Sequence, residues 1–181
     1  MAKKSKDDSP ISLELEEATD TDWPWIVKGQ TEIAWASLDS QRRRKTDRET
    51  FEEQVAQQVT RLRREEGFPS KVFVARIGDG ALAGFVWVAR THNDSTGQLE
   101  ASLLSQYVAE PYRGQGLGRR LLEEAEQWAR QQGLSRVSLS VGVHNTIEQR
   151  LYESLGYRVE TLRMSKKLNA PESDDLSLGN D

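Results

Sequence analysis

The 181-residue sequence predicts a single α/β domain, a mixed β-sheet with helices on both sides, ordered β-α-α-β-β-β-α-β-α-β. Three observations carry that reading. Runs that alternate with period two and runs with helical period succeed one another along the chain. Gly78-Asp79-Gly80 stands between two alternating runs, as a hairpin turn does. A glycine-rich bend, Tyr112-Arg113-Gly114-Gln115-Gly116-Leu117-Gly118-Arg119-Arg120, joins a strand-like run to an amphipathic helix.

The elements follow in order. Residues 1–10 are polar and lysine-rich and 170–181 are acidic; both compositions predict disorder and leave a domain over 11–169. Ile11 to Glu16 alternates like a strand. Asp20 or Asp22 is placed to cap a helix holding Trp23, Ile26, Val27 and Ile33 to Leu38. Phe51, Val55, Val59 and Leu62 form a second helical stripe that ends at Gly67-Phe68-Pro69. Lys71 to Ile77 and Ala81 to Thr91 make the hairpin, and after a loop at His92 to Gly97 a longer strand covers Leu99 to Val108. Leu117, Leu121, Leu122, Ala125, Trp128 and Ala129 then share one helix face, and Gly133 stops the helix. Val137 to Val141 alternates, and Asn145 precedes a helix with Ile147, Leu151 and Leu155 in line, ended by Gly156. Arg158 to Leu168 reads as a final strand. There is no internal repeat.

The bend has the chemistry of an anion site. Glycine permits close backbone approach, and the first amides of a helix lack intrahelical partners and sit at the positive end of its dipole. The spacing excludes two ligand classes. A dinucleotide fingerprint beginning at Gly114 and Gly116 needs glycine at 119, where Arg119 stands; a Walker loop needs Gly-Lys-Ser/Thr, and no lysine follows these glycines. What remains is Arg-x-x-Gly-x-Gly (Arg113, Gly116, Gly118) opening a helix.

A second constellation, Asn145 through Leu151-Tyr152-Glu153 to Leu155-Gly156-Tyr157, follows one strand later. Together and in this order the two motifs resemble the GCN5-related N-acetyltransferase (GNAT) family, over about Ile11 to Leu168. Two positions depart from the family pattern: Glu148 stands where a small residue is common, and Tyr157 replaces phenylalanine. Neither change removes a group the chemistry needs.

The resemblance implies a central, mostly antiparallel sheet and transfer of an acetyl group from acetyl-CoA to a primary amine of a small molecule or a protein. It implies that the amides of Arg113, Gly114, Gln115, Gly116, Leu117 and Gly118 bind the pyrophosphate, and that the N–H of Val108 meets the thioester carbonyl where the long strand splays from its neighbour. Arg113, Arg119 and Arg120 either add charge near the phosphates or are ordinary exposed arginines. Asn145 matches a pantetheine contact or is only a helix cap. Tyr152 matches the general acid for the leaving thiolate, with core packing as its alternative role. Glu100 is the nearest candidate base on the long strand, or an exposed strand-end charge; alternation groups it with Ser102, Leu104 and Gln106. Glu110 is a weaker candidate. Trp23, Trp25 and Trp35 line an acceptor pocket or pack the core.

Composition bounds the rest. Cysteine is absent, which excludes disulfides, thiol catalysis and thiolate metal sites, and His92 and His144 are the only histidines, so no metal is expected. The net charge of −4 argues against nucleic acid, and the basic runs Arg42 to Lys45 and Arg61 to Arg64 read as solvated faces. No apolar run reaches membrane-spanning length and the start lacks a signal-peptide pattern, so a soluble cytoplasmic protein is the expectation, with a homodimer left open. A non-catalytic acyl-CoA sensor or scaffold is the competing function.

Overall fold

A computed structural model describes residues 13–64 and 69–166. The expected tails, the ends of the first and final strands, and the Gly67-Phe68 stop lie outside the described residues. The chain forms two compact units, Met1–Asn145 and Thr146–Asp181.

The first unit holds one five-stranded sheet in the order β1 (Leu13–Glu17), β2 (Ser70–Ile77), β3 (Ala81–His92), β4 (Leu99–Val108) and β5 (Val137–Leu139). Each neighbouring pair is antiparallel except β4 and β5, which are parallel. Between β1 and β2 lie α1 (Trp23–Ser37), α2 (Ser40–Lys45) and α3 (Arg48–Arg64); α4 (Leu117–Gln131) crosses from β4 to β5.

Consecutive strand residues face opposite sides of a sheet. Gly84 and Phe85 therefore report the two faces. A Cβ on Gly84 would lie 3.0 Å from Leu121 of α4 and 2.8 Å from the Tyr107 carbonyl oxygen, so only glycine admits this close approach. Phe85 instead meets Trp25 of α1, ring centroids 6.0 Å apart. α4 thus covers one face, and α1 with α3 the other, where Ile26, Val55 and Val59 pack on Val72, Val74, Phe85 and Trp87. Every residue of the stripe read on α4 is buried. Fully burying one such aliphatic side chain is worth about 1.5–3 kcal/mol.

The entry to α1 differs from the expected aspartate cap. Asp20–Asp22 form a 3-10 turn, and the Asp22 carboxylate accepts hydrogen bonds from the Thr19 N–H and hydroxyl, both at 2.8 Å. Arg76 of β2 donates from its Nη2 to both oxygens of the same carboxylate, 2.8 Å to each. Asp22 is buried; burial alone would raise its pKa, but these donors outweigh it and hold the carboxyl below its usual value.

Three expected elements change. The basic run Arg42 to Lys45 lies in α2, a short separate helix capped by Asp39, whose carboxylate accepts from the Arg42 N–H at 2.8 Å. β5 is three residues long, stopping at Leu139 rather than Val141. Residues 158–166 form no strand; Val159, Leu162 and Met164 stand exposed, so the alternation there finds no sheet partner among the described residues.

Candidate active site

The anion-site bend is built by main-chain geometry. Gly114 and Gly116 have φ of 73° and 81°, the left-handed region that side chains disfavour. A Cβ at either would touch nothing within 4 Å, so backbone conformation, not space, demands glycine there. The N–H of Arg113 is bonded to the Glu110 carbonyl, and that of Arg120 to the Gly116 carbonyl. Among the described residues, the amides of 114–118 between them have no backbone partner. They form a cluster of donors at the start of α4, where its dipole favours an anion.

Side chains brace this bend. The Arg113 guanidinium donates through Nε to the Val108 carbonyl at 2.9 Å, tying the bend back to the end of β4. Gln115 donates to the Pro111 carbonyl at 2.9 Å. Gln106 of β4 donates to the Gly118 carbonyl at 2.6 Å, locking the first turn of α4 onto the sheet. Sequence alternation had placed Gln106 on the same face as Glu100. The structure corrects this: β4 carries a bulge between the Leu103↔Val88 and Ser105↔Trp87 rungs. Glu100 pairs with Thr91 and Gln106 with Val86, so the two face opposite sides.

β4 and β5 then diverge. Their pairing covers only Ala101↔Val137, Ser102↔Ser138 and Leu103↔Leu139, whereas β4 continues to Val108. Ala109 N–H bonds to Ala83 on the β3 side. Strand amides alternate in direction, so the Val108 N–H points toward the β5 side, beyond the last paired rung.

Glu100 sits at this seam. It is only 5% exposed, so it is not the solvated strand-end charge that one reading of the sequence allowed. Ser138 donates to one carboxylate oxygen at 2.8 Å and Asn93 to the other at 3.1 Å, with Arg136 3.9 Å away. Glu110, in contrast, is exposed in a 3-10 turn. On the same face nearer the bend, Trp25 meets Tyr107 with ring centroids 5.6 Å apart, and Gln30 donates to Ser105. Trp23 packs on the sheet, edge-on to Trp87 of β3 and under Arg63, and Trp35 stays within the helical layer, meeting Phe51 under Arg48.

The second unit carries α5 (Thr146–Ser154), directly after Asn145, whose N–H bonds to the Gly142 carbonyl at 2.9 Å. Its buried residue is Tyr152, 8% exposed, while Ile147 is 82% exposed. The inward line of the helix therefore runs through Tyr152, not through the Ile147-Leu151-Leu155 stripe that the sequence favoured. Tyr157 stands edge-on to Tyr152 at 5.9 Å. Burial, and secondarily the Glu148 carboxylate, push the phenol well above its ordinary value, so it keeps its proton at neutral pH.

The family model for the acetyltransferase (GNAT) family matches residues 28–157. The chain belongs to that family. An aminoglycoside N(6')-acetyltransferase type 1 from Serratia marcescens is 37% identical over 95 residues, 51% of this chain and 64% of that protein. The structure of a candidate acetyl transferase from Pyrococcus furiosus aligns with a TM-score of 0.77 at 25% identity, covering 87% of this chain and 100% of that one. A second GNAT-fold neighbour, AAC(6')-Iy in complex with the bisubstrate analogue CoA-S-monomethyl-acetylneamine, has a TM-score of 0.65 at 15% identity and covers 87% of this chain and 99% of that one. The chain spans about half the length of the curated relatives it matches, from 43% to 64%. The GNAT resemblance and its mixed sheet are thus as the motifs implied. Gln106, Ser138, Asn93 and the Gln30–Ser105 contact were not foreseen. Among the described residues no cluster of His, Cys, Asp or Glu could hold a metal ion, and no helix is long and apolar enough to cross a membrane.

Proposed function

We propose that this chain is an acetyl-CoA-dependent N-acetyltransferase that passes the acetyl group directly to a primary amine. The observation that carries the reading is the row of unpartnered amides at 114–118 opening a helix beside the point where β4 leaves β5, in a GNAT chain. The amides of Gly114 to Gly118 bind the diphosphate of the coenzyme, since that of Arg113 is bonded to the Glu110 carbonyl, and the pantetheine arm runs along the open edge of β4. The Val108 N–H polarises the thioester carbonyl; an amide aimed at a developing oxyanion contributes about 2.7–4 kcal/mol in comparable sites.

The amine attacks as the neutral base, the nitrogen of the tetrahedral intermediate gives its surplus proton to water, and the intermediate collapses by breaking its C–S bond. Tyr152 holds a proton for the departing sulfur. Because its phenol is raised well above the coenzyme thiol, for which cysteine at about 8.5 is the reference, it acts chiefly as a hydrogen-bond donor that stabilises the thiolate. Asn145 contacts the pantetheine arm. The acceptor proposed first is a small cationic amine of the amino-sugar class, in keeping with the Serratia relative and the net charge of −4. Trp25, Tyr107, Gln30 and Ser105 form its wall. The cytoplasm is the setting proposed for this chemistry.

The test is release of free CoA from acetyl-CoA against a panel of aminoglycosides, polyamines, amino acids and peptides. Release with an amino sugar supports the reading. Binding of acetyl-CoA with no release for any amine identifies an acyl-CoA sensor instead.

A further inference from the structure

We propose that Glu100 is a positioning residue, not the base of the reaction: it clamps β5 to β4 at the last rungs before the strands part, and so fixes the width of the gap in which the coenzyme arm lies. This rests on the acetyltransferase reading above.

The argument starts from the donors around the carboxylate. Ser138 belongs to β5 and spends its single O–H on Glu100, at 2.8 Å; its distance to the Ala101 carbonyl is longer, 3.5 Å. Ser138 also lies 3.1 Å from the Ser102 hydroxyl, so Ser102 must be the donor there. Ser102 lies 2.7 Å from the Thr91 hydroxyl, and by the same reasoning Thr91 donates to Ser102. The carboxylate thereby orients a relay, Thr91 to Ser102 to Ser138 to Glu100, that crosses β3, β4 and β5. Hydrogen bonds aligned head to tail polarise one another. Asn93 holds the other carboxylate oxygen, and its own side-chain oxygen accepts the N–H groups of Ser95 and Thr96 at 3.1 and 3.0 Å, so the β3–β4 loop is fastened to the same point.

This clamp has a specific task because the seam is otherwise thin. β5 is three residues long and each pairs with β4, and the relay occupies the middle rung, Ser102↔Ser138. Beyond the next rung, Leu103↔Leu139, β4 runs on without β5. A carboxylate this buried and already accepting from two side chains is poorly arranged to collect a proton from a substrate amine. It is well arranged to hold a strand.

The test uses Glu100→Gln, Glu100→Ala and Ser138→Ala in the full chain. Glutamine keeps an oxygen for Ser138, gives up the one that Asn93 holds, and cannot act as a base. A clamp therefore predicts kcat for Glu100→Gln within about threefold of wild type and an unshifted pH–rate profile, since a lost general base costs about 10²–10⁴-fold. Ser138→Ala is expected to weaken CoA binding about three- to tenfold, the effect of one hydrogen bond, and Glu100→Ala, which loses the acceptor of two, by more. Both should also speed amide exchange at Val137–Leu139 in the CoA-free protein, a readout that needs no catalysis. Should Glu100→Ala fail to fold, Ser138→Ala carries the test. Loss of turnover in Glu100→Gln together with the acid limb of the profile overturns the proposal, as does unchanged β5 exchange in Ser138→Ala. Wild-type protein that releases no CoA overturns the acetyltransferase reading instead.

Discussion

The bend at 113–118 and the seam between β4 and β5 flank one strand, yet they are made of different material. The bend is a main-chain device: two left-handed glycines shape a row of amides that have no backbone partner among the described residues, and its side chains serve mainly as braces. The seam is a side-chain device: three strands are joined by hydroxyls that a single carboxylate orients. A backbone site tolerates much side-chain change but little change of φ. A side-chain seam is the reverse. The difference says which substitutions damage each, and in which observable.

The largest effect is expected at a residue outside both regions, and it separates chemistry from binding. Tyr152→Phe should lower kcat about 10²-fold or more while CoA affinity stays unchanged. Because the phenol is raised and does not titrate in the working range, the pH–rate curve should keep its shape, its rising limb following deprotonation of the acceptor amine. Steady-state kinetics from pH 6 to 9 check this, and a changed profile would assign the phenol a titrating role.

Next comes the bend. Gly116→Val places a β-branched residue at φ of 81° with nothing crowding its Cβ, so the cost is conformational. Strain of about 1–3 kcal/mol converts to a CoA affinity loss of roughly 5- to 150-fold. Calorimetry measures it, and near-wild-type affinity would mean the amides are not the grip. Gln106→Leu should be milder, about three- to tenfold in CoA affinity with kcat kept, because it removes one hydrogen bond to Gly118 and leaves the amides in place.

The smallest functional effect, with the clearest stability effect, is at Asp22. Its carboxyl is lower in the folded protein than in the unfolded chain. The stabilisation it provides is therefore present above the unfolded value of about 3.9 and fades as pH falls through the lower folded value. Asp22→Asn should cost about 1–3 kcal/mol at pH 7 and less at about pH 3, below the unfolded value, without altering kcat. Urea midpoints at the two pH values decide it.

What the sequence disclosed follows the same division. The bend was readable because its signal is local: Gly114, Gly116 and the α4 stripe lie within a few residues of one another, and helical period identifies the buried face without reference to the sheet. The seam was not. Ser138 is 38 residues from Glu100 in sequence, and no local pattern announces such a pairing. The bulge at Leu104 has a further consequence: one inserted residue reverses alternation, so strict period two put Gln106 on the wrong face. Tyr152 was readable in kind but not in burial, because Ile147, Leu151 and Leu155 offered an equally regular apolar line, of which the structure leaves Ile147 in solvent and half-buries the leucines.

Titrating the wild-type chain with CoA and, separately, with pantetheine puts the grip of the bend to direct trial. Pantetheine keeps the thiol and the arm but lacks the diphosphate. If the amides at 114–118 hold that group, CoA binds at least tenfold more tightly than pantetheine, about 1.4 kcal/mol or more, and Gly116→Val removes most of the gap. Equal affinities for the two ligands, or a gap that Gly116→Val leaves intact, would contradict the account.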